Sequence, residues 1–323
     1  MNTDADAWMT DLELMHHYTT VTCDTIPAPR GTEHVLRDDI PRLGLRFSYL
    51  MHQLLAVSAL HIAYVSPHSD SSKKYLSRAS HHQAIAISGM RPALSKPITE
   101  GTSRALFAAS AFLMVGTFAT NRGLGPTSPD VCEVSHRCPM DGILETFSVV
   151  RGMGAIREAT SKELQRNLVG DLFGTQPQST SCESLRVVEG RLYLLQALVM
   201  ADETLDDGLK HAVCAGIGSL LAFMETKSSV TIMARKELSV VFGWPWTVSD
   251  ELLGLLRKRS PAALTMFLYY CIVMQTLEAD YWFLEGWTAR LGIVVAMSLR
   301  GSRWEEVAQW PLQQLKIPKT RSS

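Results

Sequence analysis

The sequence predicts an all-α fold, a single multi-helix domain with a buried apolar central helix pair and a hydrophobic pocket. Three observations lead there. Pro261 to Leu299 has apolar and aromatic side chains on every side and no charge until Glu278. A helix without a polar face is buried among other helices or in lipid. Its uninterrupted apolar part ends at Gln275, too short to cross a bilayer, and Glu278, Asp280 and Glu285 follow at once. The remaining segments show helical spacing of apolar residues and no strand–helix alternation. Finally, 323 residues at 46% hydrophobic and 20% charged supply a large core, and no shift of composition marks a second domain. The expected domain runs from 8 to 311, with flexible tails at 1–7 and 312–323.

In chain order, Asp11 to Ile26 reads as an amphipathic helix stopped by Pro27 and Pro29. His16 and His17 lie about 100° apart, so one faces the core and the other solvent. Phe47 to Tyr64 is a helix whose small residues Ala56, Ser58, Ala59 and Ala63 admit close packing. Its His52 and His61 are nine residues apart and point to opposite faces. Lys73 to Met90 carries His81 and His82. Ser103 to Thr120 is apolar with small residues throughout, a second buried wall; its Ser, Gly and Thr content argues against a membrane span. Asn121 to Pro139 is irregular, and its Cys132, His136 and Cys138 match no common zinc spacing. Ile143 to Ala159 is helical with Gly152 and Gly154 in its middle, either a close approach or a kink. Gly170 to Cys182 is polar and loose.

Leu185 to Met200, Leu205 to Thr226, Val230 to Phe242 and Ser249 to Arg259 are four further helices. Ser260 and Pro261 then supply an N-cap and a first-turn proline. Gly286 divides the apolar stretch, and Arg300-Gly301 closes it as a last-turn cation and C′ glycine. Arg303 to Trp310 makes a short helix ended by Pro311. The six cysteines are scattered, which suits buried thiols in a reducing compartment. The acidic, mostly polar N-terminus does not read as a signal peptide. The net charge of −1 gives no footprint for direct nucleic-acid binding.

Phasing at about 100° per residue puts Phe267, Cys271, Met274, Glu278, Trp282 and Glu285 in one narrow stripe, with Tyr281 at its edge. A carboxylate in that line must find a partner or hold its proton. Glu278 is thus either a buried structural anchor or the polar contact of a hydrophobic ligand pocket.

Seven segments, in this order, resemble the C-terminal regulatory domain of fungal zinc-cluster transcription factors of the sterol uptake control type. They are DLELMHHYTTVTC from Asp11, YLMHQLLAVSALHIAY from Tyr49, YLSRASHHQAIAI from Tyr75, RALFAASAFL from Arg104, FSVVRGMGAI from Phe147, SPAALTMFLYYCIVM with YWFLEGWTARL from Ser260, and WEEVAQWP from Trp304. The resemblance implies an all-α ligand-sensing domain with a deep hydrophobic pocket, which accepts a sterol in the sterol regulators. In such proteins occupancy controls exposure and nuclear entry, and an N-terminal binuclear zinc cluster contacts DNA. This sequence lacks the C-x2-C-x6-C start of that cluster, so direct DNA binding is not expected of it.

Three functions follow from these readings. The first is a stand-alone regulatory module in the cytoplasm or nucleus. It binds a sterol- or terpenoid-like polycycle through Phe267, Cys271, Met274, Glu278, Tyr281 and Trp282, and acts through protein partners or as a homodimer. The second is a cofactor-free cyclase or isomerase of an apolar secondary metabolite, for which Glu278, His52, His16 and Asp24 are the available acids and bases. The third is a helical interaction scaffold. No nucleophile motif, cofactor fingerprint or metal set is present in the sequence, so neither cofactor nor metal is expected.

Overall fold

In the computed structural model the residues described are 3–27, 33–67, 70–96, 99–122, 138–158, 183–225 and 236–317. Among them every regular element is helical. The first layer begins with α1 (Thr3–Thr20), which passes into a 3-10 turn at Thr22–Thr25 before Pro27. A π turn (Val35–Asp39) runs into the short α2 (Ile40–Gly44), started by Pro41 in its first turn. Then come α3 (Ser48–Val65), α4 (Asp70–Leu94) and α5 (Glu100–Asn121). Thr99 and Thr102 form a reciprocal capping box at the start of α5. α3 packs broadly on α4 and α5, and α1 lies across α3.

The second layer contains α6 (Pro139–Glu158), α7 (Glu183–Ala201), α8 (Asp207–Glu225), α9 (Lys236–Thr247), α10 (Asp250–Arg257), α11 (Pro261–Glu278) and α12 (Trp287–Leu299). Two short helices, α13 (Trp304–Val307) and α14 (Gln309–Gln314), close the chain. The Ser249 hydroxyl accepts the Leu252 N–H at 3.2 Å and so caps α10. Ser260 holds the corresponding position before α11 without a side-chain capping bond, while its carbonyl accepts the Leu264 N–H.

α11 is the predicted central helix. Every residue from Ala262 to Met274 is buried, and the helix packs on α7, α8, α9 and α12. Phe267, Tyr270, Phe147 and Trp244 form an aromatic knot in edge-on and offset pairs. Its polar atoms are paired: the Tyr270 hydroxyl donates to the Val241 carbonyl at 2.8 Å, and Trp244 Nε1 donates to Ser219 Oγ at 2.9 Å. Burying each such ring contributes about 1.5–3 kcal/mol. α5 ties the two layers together, because Phe118 meets Phe242, Phe283 and Trp287, and Trp287 Nε1 donates to the Phe118 carbonyl. The Thr102–Asn121 window of α5 is apolar enough to cross a membrane by composition, yet 78% of it is buried inside the bundle.

Several expected boundaries shift. α11 stops at Glu278; the chain turns through Ala279 and Asp280, and Trp282–Leu284 is a separate 3-10 turn. The stripe extrapolated to Tyr281, Trp282 and Glu285 therefore has no continuous helix behind it. Gly286 does divide the stretch: at φ +76° it starts α12 in the left-handed region that side chains disfavour. Gly301 ends it, again at positive φ. α6 runs unbroken through Gly152 and Gly154, and a Cβ at Gly152 would meet nothing within 4 Å. The end of the predicted Val230–Phe242 helix moves out, since α9 continues through Pro245 to Thr247, and its predicted start at 230–235 lies outside the described residues. Pro311 lies in the first turn of the last helix where it was expected to end one, and Leu315 beyond it is buried. The expected starts at Leu185 and Leu205 lie within two residues of those observed. Cys132, His136 and the Gly170–Cys182 segment lie outside the described residues.

Close packing around α11 predicts the response to added volume. A Cβ at Gly216 would lie 2.4 Å from Leu252 Cδ2 and 3.2 Å from Met266, both buried, whereas one at Gly254 would meet nothing within 4 Å. Gly216→Ala should therefore lower unfolding free energy by about 1–3 kcal/mol. Gly254→Ala should leave it unchanged or raise it by up to about 1 kcal/mol. Urea unfolding of the two variants beside the parent checks both.

Candidate functional site

An apolar cleft opens between the two layers. Its floor is α5, which presents Ala111, Phe112, Met114 and Val115. Ile26 and Pro27, just after the 3-10 turn, and Leu36 of the π turn form one wall. Phe242 of α9 and Phe283 of the Trp282–Leu284 turn form the other. The cleft encloses about 370 Å³, counting the space that opens to solvent. Room for the centre of a water-sized molecule is only about 20 Å³, so a larger guest enters only as the walls move apart. None of these nine side chains carries a hydrogen-bonding or titratable group. Such a site takes hydrocarbon and rejects charge.

The wall containing Ile26 is held by polar contacts behind it. The Tyr18 hydroxyl donates to the Leu36 carbonyl at 3.0 Å, and its ring meets Phe112 edge-on. Trp282 Nε1 donates to Thr25 Oγ1 at 3.0 Å; these residues immediately precede Phe283 and Ile26 of the cleft. The Trp282 ring lies against His61 and Tyr64 of α3. His61 Nδ1 sits 3.1 Å from Thr22 Oγ1 and 3.2 Å from His17 Nε2. Arg122 stacks on Tyr64, donates to the Trp282 carbonyl and pairs with Glu285 at 3.4 Å. Burial, reinforced by His17, pulls the His61 pKa down to about 4.

A second histidine pair fastens α1 to α3 and α4 away from the cleft lining. His52 Nδ1 and His82 Nδ1 are 2.9 Å apart, and His82 Nε2 is 3.0 Å from Asp11. Asp11 also accepts from Arg78 Nε at 2.9 Å. Burial lowers His52, and it lowers His82 to about 4 despite the nearby Asp11 carboxylate.

The predicted contact residues are placed elsewhere. Phe267, Cys271 and Met274 are fully buried in the core around α11, and none lines this cleft. Burial pushes the Cys271 thiol well above its ordinary range. Tyr281 is half-buried beside Phe283. Tyr281 and Trp282 do not line the cleft but pack against Phe283, which does. Glu278 serves as an anchor: its Oε1 accepts the Thr288 backbone N–H at 2.7 Å, in the first turn of α12. Burial raises its pKa, and the Thr288 hydrogen bonds oppose that rise.

The four acid–base candidates do not converge. His16 is exposed, and its carbonyl accepts from Thr20, while His17 is the inward-facing neighbour. Asp24 is half exposed and paired with Arg37 at 2.7 Å. His52 belongs to the pair on α4, and Glu278 to the start of α12. Sequence reasoning missed Ile26, Leu36, Phe242 and Phe283, each of which reads as ordinary core by itself. Ala111 to Val115 did carry a signal, since they lie in the stretch read as a second buried wall.

Residues 13–137 match the family described as the fungal specific transcription factor domain, and that stretch of the chain is similar to it. The chain is 26% identical over 274 residues to the Zn(2)-C6 fungal-type transcription factor afumD of Aspergillus fumigatus, a match covering 80% of this chain and 65% of that protein. A Zn(2)-C6 fungal-type transcription factor of Gibberella zeae is 24% identical over 319 residues, covering 94% and 61% respectively. Sterol uptake control protein 2 of Saccharomyces cerevisiae is 25% identical over 298 residues, covering 89% and 30%. The chain thus spans less than two thirds of each of these relatives. Seven of the nine cleft residues fall inside the matched 13–137 segment.

The histidine pairs set a pH dependence. His61 and His82 stay neutral in the folded protein down to about pH 4, whereas the unfolded chain protonates them near pH 6.5. Between those values the unfolded state binds more protons, so stability is complete above about pH 6.5 and falls as pH drops toward 4. Each group contributes a slope of up to about 1.4 kcal/mol per pH unit. Urea unfolding at pH 7 and pH 5 should show this loss, and His61→Gln with His82→Gln should flatten it. A parent protein equally stable at both pH values contradicts the assignment.

Proposed function

We propose that this chain is a regulatory domain of the fungal transcription-factor type that senses an apolar polycycle, of sterol or terpenoid class, in the cleft on α5. The observation carrying this reading is the lining itself: nine side chains from four regions of the chain, all hydrocarbon or thioether. A rigid fused-ring hydrocarbon enters as the wall of Ile26, Pro27 and Leu36 yields, and it gains from burial while losing little conformational freedom. The relative named as a sterol uptake control protein supports the same ligand class.

Occupancy in this reading is reported by the wall residues at 22–27 and 35–39. Ile26, Pro27 and Leu36 touch the ligand, while Thr25, Thr22 and Tyr18 hold the segment to Trp282, His61 and α2's approach. A filled cleft holds that wall in place, and protein partners in a nuclear regulatory pathway read its position. The pathway controlled is one of sterol or secondary-metabolite supply. Catalysis gains no support from the geometry, since no acid or base among the described residues lines the cleft and the four candidates are engaged elsewhere.

Titrating the purified protein with a fluorescent sterol, beside a long-chain fatty acid as comparison, tests the reading. Saturable sterol binding and a rise in thermal midpoint are expected. Ala111→Phe, which fills the cleft floor, should weaken sterol binding at least tenfold while keeping the helical circular dichroism. Sterol binding unchanged in Ala111→Phe, or absent from a folded parent, overturns it.

A further inference from the structure

The walls of the cleft must part before anything larger than water reaches the α5 floor, so what joins them governs access. Ile26 and Pro27 stand on one side and Phe283 on the other. Apolar burial holds such surfaces together without direction. A directional tie runs between the chain neighbours of these residues: Trp282 Nε1 donates to Thr25 Oγ1 at 3.0 Å. The Thr25 hydroxyl donates in turn to the Thr22 carbonyl at 2.7 Å, so it accepts and donates at once.

The two partners are held very differently. The Trp282 ring lies on His61 and Tyr64 of α3, and its carbonyl accepts from Arg122 at 3.3 Å. Arg122, at the end of α5, also stacks on Tyr64. Trp282 thus belongs to the frame of α3 and α5. Thr25 ends a single 3-10 turn, entered through Val21 at φ −136° and ψ −57° and left through extended backbone at Ile26. Both Thr25 and Ile26 are half-buried. Thr22 is pinned to His61 at 3.1 Å, and Leu36 of the same wall is pinned by the Tyr18 hydroxyl. The Asp24–Arg37 pair beside the turn is half exposed, and such pairs hold weakly. Residues 25–27 are therefore the strip that yields most readily.

We propose that the Trp282–Thr25 hydrogen bond is the latch of the cleft. With the bond made, Ile26 and Pro27 close the cleft against Phe283; with it broken, the strip swings away and bares Ala111 and Phe112 of the floor. One hydrogen bond contributes modestly in net terms, so losing it should raise the open population about threefold to tenfold. Admission of a polycycle through this opening rests on the function proposed above. The latch itself does not, because it sets solvent access to the floor whatever enters.

Thiol labelling of an Ala111→Cys protein with a small maleimide tests this without any guest. Peptide masses give separate rates for position 111, on the floor, and for native Cys271, fully buried in α11. Labelling at 111 should be slow, and adding Thr25→Val or Trp282→Phe should speed it about threefold to tenfold. The two changes together should add little to either alone, because they remove one shared bond. Thr25→Ser keeps the hydroxyl and should keep the slow rate, and Cys271 should stay protected throughout. A rate at 111 indifferent to Thr25→Val overturns the latch, and so does a rate already as fast as that of an exposed thiol. Equal acceleration at 111 and Cys271 overturns it too, by showing general unfolding. Sterol binding is read separately, so its failure would count against the ligand reading and leave these rates to decide the latch.

Discussion

Helix α11 has no polar side, and keeping water off it is the constraint that the rest of the bundle satisfies. Fourteen of its residues are buried, and helices from both ends of the second layer surround it. The rings of Phe267, Tyr270, Phe147 and Trp244 pack edge-on and offset, and the Tyr270 hydroxyl and the Trp244 indole N–H each find an acceptor. Phe267, Cys271 and Met274 are buried in that packing, and none of them lines the apolar cleft. The opening lies instead where the two layers fail to close over α5. There Ala111 is too small to reach across, and the segment after α1 forms a wall from Ile26, Pro27 and Leu36.

Glu278 shows how the core and its neighbours are joined. A half-buried carboxylate at the end of an apolar helix is expensive unless donors surround it. The Thr288 N–H supplies one, at a point where the positive end of α12 favours negative charge. The same residue type at the same place in sequence could equally have met a ligand. Geometry decides for the structural anchor, because Gly286 turns the chain back so that α12 begins within reach of its predecessor's last side chain.

Much of the fold was legible in the sequence. The run from Pro261 to Gln275, the break at Gly286 and the stop at Gly301 are local signals and sit where they were read. The end of α11 was not, because Ala279, Asp280 and Tyr281 contain neither proline nor glycine; the stripe was carried past Glu278 on phase alone. The cleft was less legible still. Its lining spans Ile26 to Phe283, and each contributor resembles core in its own segment. The histidines were read correctly as facing apart, with His52 turned to His82 and His61 to His17. Their pairing is a property of three helices together, which spacing along one helix does not reveal.

The account's central claim is that the cleft on α5, and not the α11 stripe, is where an apolar molecule enters. Amide hydrogen exchange with and without a bound sterol tests this most directly. The account predicts new protection in peptides covering Thr22–Thr25, Val35–Asp39 and the middle of α5, with α11 already slow and unchanged. Protection gained chiefly along Phe267 to Glu278, with the α5 and Thr22–Asp39 peptides unaltered, would contradict it.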